Sequence, residues 1–171
     1  PYSKHSIINP ILVRNLGMSY SFGLFQNKPL VKENGIVILV HPCRKEFDAV
    51  KYPSYVEMFE RLLPELRDPF ELWELHAEEF ARRPEYVHKY RYGYGFHGSH
   101  PFILYGQGAY GFRYLRKVFL AGAADFRTAR LLGFEPFATV EEAVAEAENI
   151  LGGDCSIAYP EMEQNYICSV E

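Results

Sequence analysis

Gly35-Ile36-Val37-Ile38-Leu39-Val40-His41 is the stretch that decides the fold. Its apolar, mostly β-branched residues run unbroken between Asn34-Gly35 and Pro42, the pattern of a short strand buried on both faces. Lys117-Val118-Phe119-Leu120-Ala121-Gly122 repeats that character, and Cys155-Ser156-Ile157-Ala158-Tyr159 reads as a weaker third strand. Helix signals fill the intervals. Asp68-Pro69-Phe70-Glu71 combines a capping carboxylate, a first-turn proline and a glutamate three residues on. Phe70, Trp73, Ala77 and Phe80 then recur at helical spacing until Pro84. Thr139-Val140-Glu141-Glu142 is a capping box that opens a helix with Val140, Ala143, Val144, Ala147 and Leu151 on one face, stopped by Gly152-Gly153. Asp125 caps a shorter run from Phe126 to Leu132 that Gly133 closes, and a further helix covers Ser54 to Leu63. Strands alternating with helices predict an α/β fold: a mainly parallel sheet flanked by helices, in a single compact domain over residues 1–171. Active groups on such a sheet sit beyond the strand C-termini, which singles out the loops after Val40 and Leu120.

The composition is that of one soluble globular domain. Of the 171 residues 48% are hydrophobic and 23% charged, and no apolar run approaches the ~20 residues of a membrane span. The net charge of −4 lacks the basic excess that nucleic-acid backbones attract, so neither nucleic acid nor a membrane is an expected partner. Cys43, Cys155 and Cys168 are odd in number and contain no C-x-x-C pair, which fits a reducing cytoplasm better than a disulfide framework or a zinc site. The opening Pro1-Tyr2-Ser3-Lys4-His5 has neither an initiator Met nor a signal pattern, and reads as the interior of a longer chain.

Residues 85–114 stand apart. Seven of the 13 tyrosines and six of the 13 glycines crowd there with His88, His97 and His100, as a functional loop region or a contact surface. Within it Gly106-Gln107-Gly108-Ala109-Tyr110-Gly111 matches G-x-G-x-x-G after the strand-like Phe102-Ile103-Leu104-Tyr105, with Asp125 placed to meet a ribose. In a nucleotide site Gly106, Gly108 and Gly111 would let the backbone approach a pyrophosphate, but only Phe112 to Lys117 remain for the helix that should follow. The histidines have no recognised metal-ligand spacing, although one could exchange a proton near neutral pH. The tyrosines suit a contact between domains or subunits, since each pairs an apolar face with one polar group. His41-Pro42-Cys43 follows the first strand at a ligand-binding position, where Cys43 is either a nucleophile or a buried apolar residue.

Three stretches together resemble the C-terminal half of the lactate racemase family, enzymes that use a nickel-pincer nucleotide. Val31 to Cys43 is similar to its strand lead-in, V-K-x-G-G-x-I-I-L-V-x-x-C. Gln107-Gly108-Ala109-Tyr110, leading through Tyr114-Leu115-Arg116 into Val118 to Ala121, looks like the helix that feeds the next strand. Ala129 to Val144 is similar to the family's R-A-L-G-F-T-P-A-x-S-L-E-E-A-L segment.

The resemblance implies the C-terminal part of a longer two-domain protein, one wall of a cleft in which a 2-hydroxy acid and the cofactor are held against an N-terminal catalytic domain. The family's proton-shuttling histidines, cofactor-attached lysine and nickel ligand belong to that other half. This fragment alone would therefore bind no cofactor and be inactive. His41, Tyr94, His97 and His100, with Gln107, are the candidate cleft residues. The family's Tyr-Gln-x-x-Lys precedes the strand lead-in, and a cation there can hold a substrate carboxylate. Here Gln26 and Lys28 stand nearby but out of register, which argues against lactate itself. Two other classes remain open: a stand-alone nucleotide-binding domain using the 106–111 glycines with Asp125, and a non-enzymatic interaction module or homo-oligomer joined through residues 85–114.

Overall fold

Three parallel strands, β1 (Ile36–Val40), β2 (Lys117–Ala121) and β3 (Glu135–Phe137), form the sheet in their sequence order. The computed structural model describes residues 8–22 and 28–159; Gln26, Cys168 and the opening residues 1–7 lie outside them. Ile36 pairs with Lys117 and Phe119 with Glu135, so β2 is central and hydrogen-bonded on both edges. The α/β reading holds, with the third strand at Glu135–Phe137. Cys155 to Tyr159 has no regular structure and is not one of the three paired strands.

Alternation along the strands divides the interior in two. Phe119 and Ala121, with Ile36 and Ile38 beside them, face Ala143 and Ala147 of the final helix. Val118 and Leu120, with Val37 and Leu39 packed against them, face the larger core built by all the other helices. Side chains of period two therefore meet helices on both sides, which is why these runs are apolar without a polar alternate. Only β2 realises this fully. β1 is an edge strand, its residues are half-buried, and Val40 is exposed.

The helices, in chain order, are α1 (Pro10–Asn15), α2 (Pro53–Glu57), α3 (Pro69–Arg82), α4 (Pro84–Tyr92), α5 (His100–Gln107), α6 (Ala109–Tyr114), α7 (Phe126–Leu131) and α8 (Val140–Leu151). α1 and α2 each run on into a wider π-type turn, over Leu16–Tyr20 and Met58–Leu62. Local chemistry sets most of the starts. Asp68 accepts hydrogen bonds from the Phe70 and Glu71 amides at 2.9 and 3.1 Å, and Asp125 accepts from Arg127 at 2.9 Å. The capping box at Thr139 and Glu142 is formed in both directions. The inward face of α3, however, is Leu72, Ala77 and Phe80; Trp73 is 48% exposed and Phe70 also faces solvent.

Residues 85–114 are a helical layer rather than a loop region, since α4, α5 and α6 take up all but the short link from Gly93 to Ser99 and Gly108 between α5 and α6. Prolines at or next to the first turn, Pro84 and Pro101, start two of these helices. Two of the segment's glycines, Gly98 and Gly111, serve close packing. A Cβ on Gly98 would fall 2.0 Å from the Phe80 carbonyl oxygen, and one on Gly111 would fall 2.8 Å from Met18 Cε.

Candidate functional site

The carboxyl end of the sheet is tied together by backbone. The His41 amide donates to the Ala121 carbonyl at 3.1 Å, and the Ala124 amide to Pro42 at 2.7 Å, so the loops leaving β1 and β2 are joined. Between them Cys43 takes a positive φ of 42°, a left-handed turn rare for a residue with a side chain. That turn folds the Cys43 amide back onto His41, where it donates to Nδ1 at 2.9 Å.

This bond assigns the ring. With Nδ1 accepting, the proton of the neutral imidazole sits on Nε2. Burial, and then Arg44, hold His41 below its ordinary pKa, so the neutral form persists to lower pH. His41 is thus a hydrogen-bond donor through Nε2–H, for which no partner appears among the described residues. A second proton could enter only at Nδ1, at the expense of the Cys43 bond. Cys43 itself is fully buried, and burial, with Asp125 nearby, pushes its thiol up to about 12, so it is no thiolate nucleophile at neutral pH. Asp125 is committed to the start of α7, accepting from the Arg127 amide and, at 2.6 Å, from the Thr128 hydroxyl.

His97 and His100 form a different cluster, at the start of α5. His97 Nδ1 lies 2.9 Å from the Ser99 hydroxyl, and its ring meets Tyr90 edge-on. His100 Nδ1 lies 2.8 Å from the Tyr55 hydroxyl, and its ring stacks on Phe96 at 4.9 Å. Burial first and the neighbouring His97 second hold His100 below its ordinary pKa. Gln107 is at the other end of α5, about 10 Å further along its axis at 1.5 Å per residue. There its side-chain oxygen accepts from Asn15 at 2.8 Å. Tyr94 is 93% exposed at a positive φ of 55°. The sequence-expected residues therefore fall in separate places: His41 at the sheet, His97 with His100 before α5, Gln107 at its far end and Tyr94 in solvent.

The glycine motif lies in a context foreign to a dinucleotide site. Phe102 to Tyr105 is helical, so Gly106, Gly108 and Gly111 join two helices rather than a strand to a helix. A Cβ on Gly108 would come within 3.0 Å of Arg14 Nη1, and Gly111 is covered by Met18 and Phe22. These two glycines are filled by the chain's own side chains, which leaves no room there for a pyrophosphate.

Polar groups that sequence reading passed over lie on α1. Arg14 is 4% exposed, donates from Nε to the Leu132 carbonyl at 3.0 Å and from Nη1 to Tyr105, and is sandwiched at 3.9 and 4.4 Å by the Tyr105 and Phe112 rings. Burial lowers its pKa to about 10, and no carboxylate among the described residues pairs with it. Asn15 beside it donates to Leu104 and Gln107 while its own buried oxygen has no partner. The sequence signal was an Arg-Asn pair directly following the apolar Ile11-Leu12-Val13. Among the described residues, no three His, Cys, Asp or Glu side chains converge as metal donors, and no helix is long and apolar enough to cross a membrane. Compared with protein-family models, with curated proteins and with solved structures, the chain matches none.

Proposed function

We propose that this chain is the cleft-forming C-terminal domain of a racemase- or epimerase-type enzyme acting on 2-hydroxy acids, with the catalytic groups supplied by an N-terminal domain of the same polypeptide. The observation that carries the reading is the exit of β1. The segment that resembles the racemase strand lead-in ends at the carboxyl edge of a parallel sheet, in a backbone-locked turn that holds His41 neutral with Nε2–H as a donor. A donor of that kind suits a substrate oxygen: it orients a hydroxy acid without taking up its proton. In the family resembled, a nickel-pincer nucleotide supplies the redox chemistry at the substrate carbon. The described residues gather no metal donors, so in this reading the N-terminal domain would hold that group. This domain's contribution is orientation, from His41 and, on a separate surface, from His97 and His100.

The test uses the full natural polypeptide, loaded with the cofactor, incubated with single enantiomers of a series of 2-hydroxy acids and followed by chiral chromatography. Formation of the opposite configuration is expected. His41→Phe should lower kcat/KM roughly 10- to 100-fold, the worth of one hydrogen bond to a charged group at about 1.5–3 kcal/mol. His97→Ala should lower turnover or affinity, and unchanged kinetics would remove it from the site. A natural polypeptide no larger than the present chain, or no isomerisation of any acid offered, would overturn the proposal.

A further inference from the structure

At the opposite, amino end of the sheet lies a cavity of about 450 Å³, open to solvent. Four cations from three parts of the chain line it: Arg67 from the link before α3, Arg116 and Lys117 at the start of β2, and Arg130 from α7. Only one carboxylate, Glu135, shares the wall, and it is bound to Lys117 at 2.9 Å. Arg67, Arg116 and Arg130 form no ion pair among the described residues. Three arginines without an ion-pair partner among the described residues thus line one cavity, on a chain whose net charge is −4.

The rest of the cavity is apolar. Phe112 and Phe134 lie against each other at 5.5 Å, flanked by Leu115 and Val118, and Gly133 at a φ of 89° keeps the approach open. A Cβ at Gly133 would press to 3.2 Å on the Phe112 ring. Guanidinium forks match the oxygens of phosphate in pairs, and an aromatic floor suits a flat apolar body. The volume is in the range of small-molecule sites, about 300–1,000 Å³.

We propose that this cavity, bounded by Arg67, Arg116 and Arg130 over Phe112, binds a small phosphate monoester carrying a flat apolar group. The site is separate from the His41 turn, and the proposal stands whether or not the racemase reading does. Isothermal titration with phenyl phosphate tests it, with inorganic phosphate and phenol as the two halves of the ligand. Saturable binding is expected, tighter for phenyl phosphate than for either half. Arg116→Gln with Arg130→Gln should weaken it about tenfold, as two solvent-exposed charge contacts would. Arg127→Gln, on the same helix but outside the cavity, should leave it unchanged. All three arginines are exposed, so loss of binding would not reflect unfolding. No saturable binding, or equal weakening by Arg127→Gln, would overturn the proposal. So would a short single-stranded oligonucleotide that competes at lower concentration than phenyl phosphate, by placing the surface in another class.

Discussion

Replacing Arg14 by Met removes the buried guanidinium while keeping a side chain of similar length and flexibility. Two charge-assisted bonds, to the Leu132 and Tyr105 carbonyls, disappear at about 1.5–3 kcal/mol each. The contacts with the Tyr105 and Phe112 rings add about 2 kcal/mol when desolvated. Against this, the variant no longer holds a cation out of water. The fall of the Arg14 pKa from its ordinary value to about 10 places that relief at roughly 3 kcal/mol. The net expectation is a loss of about 3 kcal/mol, which for a chain of this size lowers Tm by roughly 10 °C. Urea unfolding followed by far-ultraviolet circular dichroism measures it, and Arg14→Lys should recover only part, because an ammonium cannot span both carbonyls in the same plane. If Arg14→Met proves as stable as the parent or more so, the reasoning fails. Arg14 would then be a charge the fold tolerates at a cost, as functional residues often are.

Gly111→Ala should lose roughly 1–3 kcal/mol in the same assay, because its Cβ would be 2.8 Å from Met18 Cε and 3.1 Å from the Met18 carbonyl oxygen; an undiminished urea midpoint would show that α6 and the π-type turn after α1 can separate freely. His100 is held below its ordinary value of 6.5, so the unfolded chain takes up a proton first: stability is intact above about pH 6.5 and falls as pH drops through the lower folded value. Urea midpoints at pH 7.5 and 5.5 should show this, and His100→Gln should lessen the slope without abolishing it, since His41 is displaced in the same direction. Thr139→Ala should cost about 1 kcal/mol by opening the capping box of α8, read by thermal unfolding, and an effect near zero would mean that packing of Ala143 and Ala147 alone holds that helix.

Much of the fold was legible where local chemistry and tertiary packing agree. β1, β2 and the capped starts of α3, α7 and α8 follow from apolar runs and from side chains that satisfy helix amides, both of which act within a few residues. Trp73 shows where that reasoning stops: it shares a helical face with Phe80 on spacing alone, yet Phe80 is fully buried while Trp73 is 48% exposed, because the rest of the chain covers that face only in part. Residues 85–114 show it again. Glycine and tyrosine suggest a loop, but Gly98, Gly108 and Gly111 sit where another chain segment passes too close for a Cβ, a requirement set by residues far away in sequence. The candidate site was legible in its residue types and not in its grouping. His41 stood out by following a strand, while nothing in the spacing separates His97 and His100 from Gln107.

The sequence by itself determined that this is an α/β chain, because hydrophobic period and capping are properties of neighbours along the backbone. It also determined that the loop after Val40 leaves the carboxyl end of a strand. Only the tertiary structure decided that β3 is Glu135–Phe137, that the glycine motif joins two helices, and that His41 donates through Nε2. The same holds for Arg14, a cation enclosed by two rings and two carbonyls, and for the three arginines gathered at the amino end of the sheet. Each depends on groups brought together across long stretches of chain. Burial and charge are set by whatever arrives in space, and a linear pattern carries no record of that arrival.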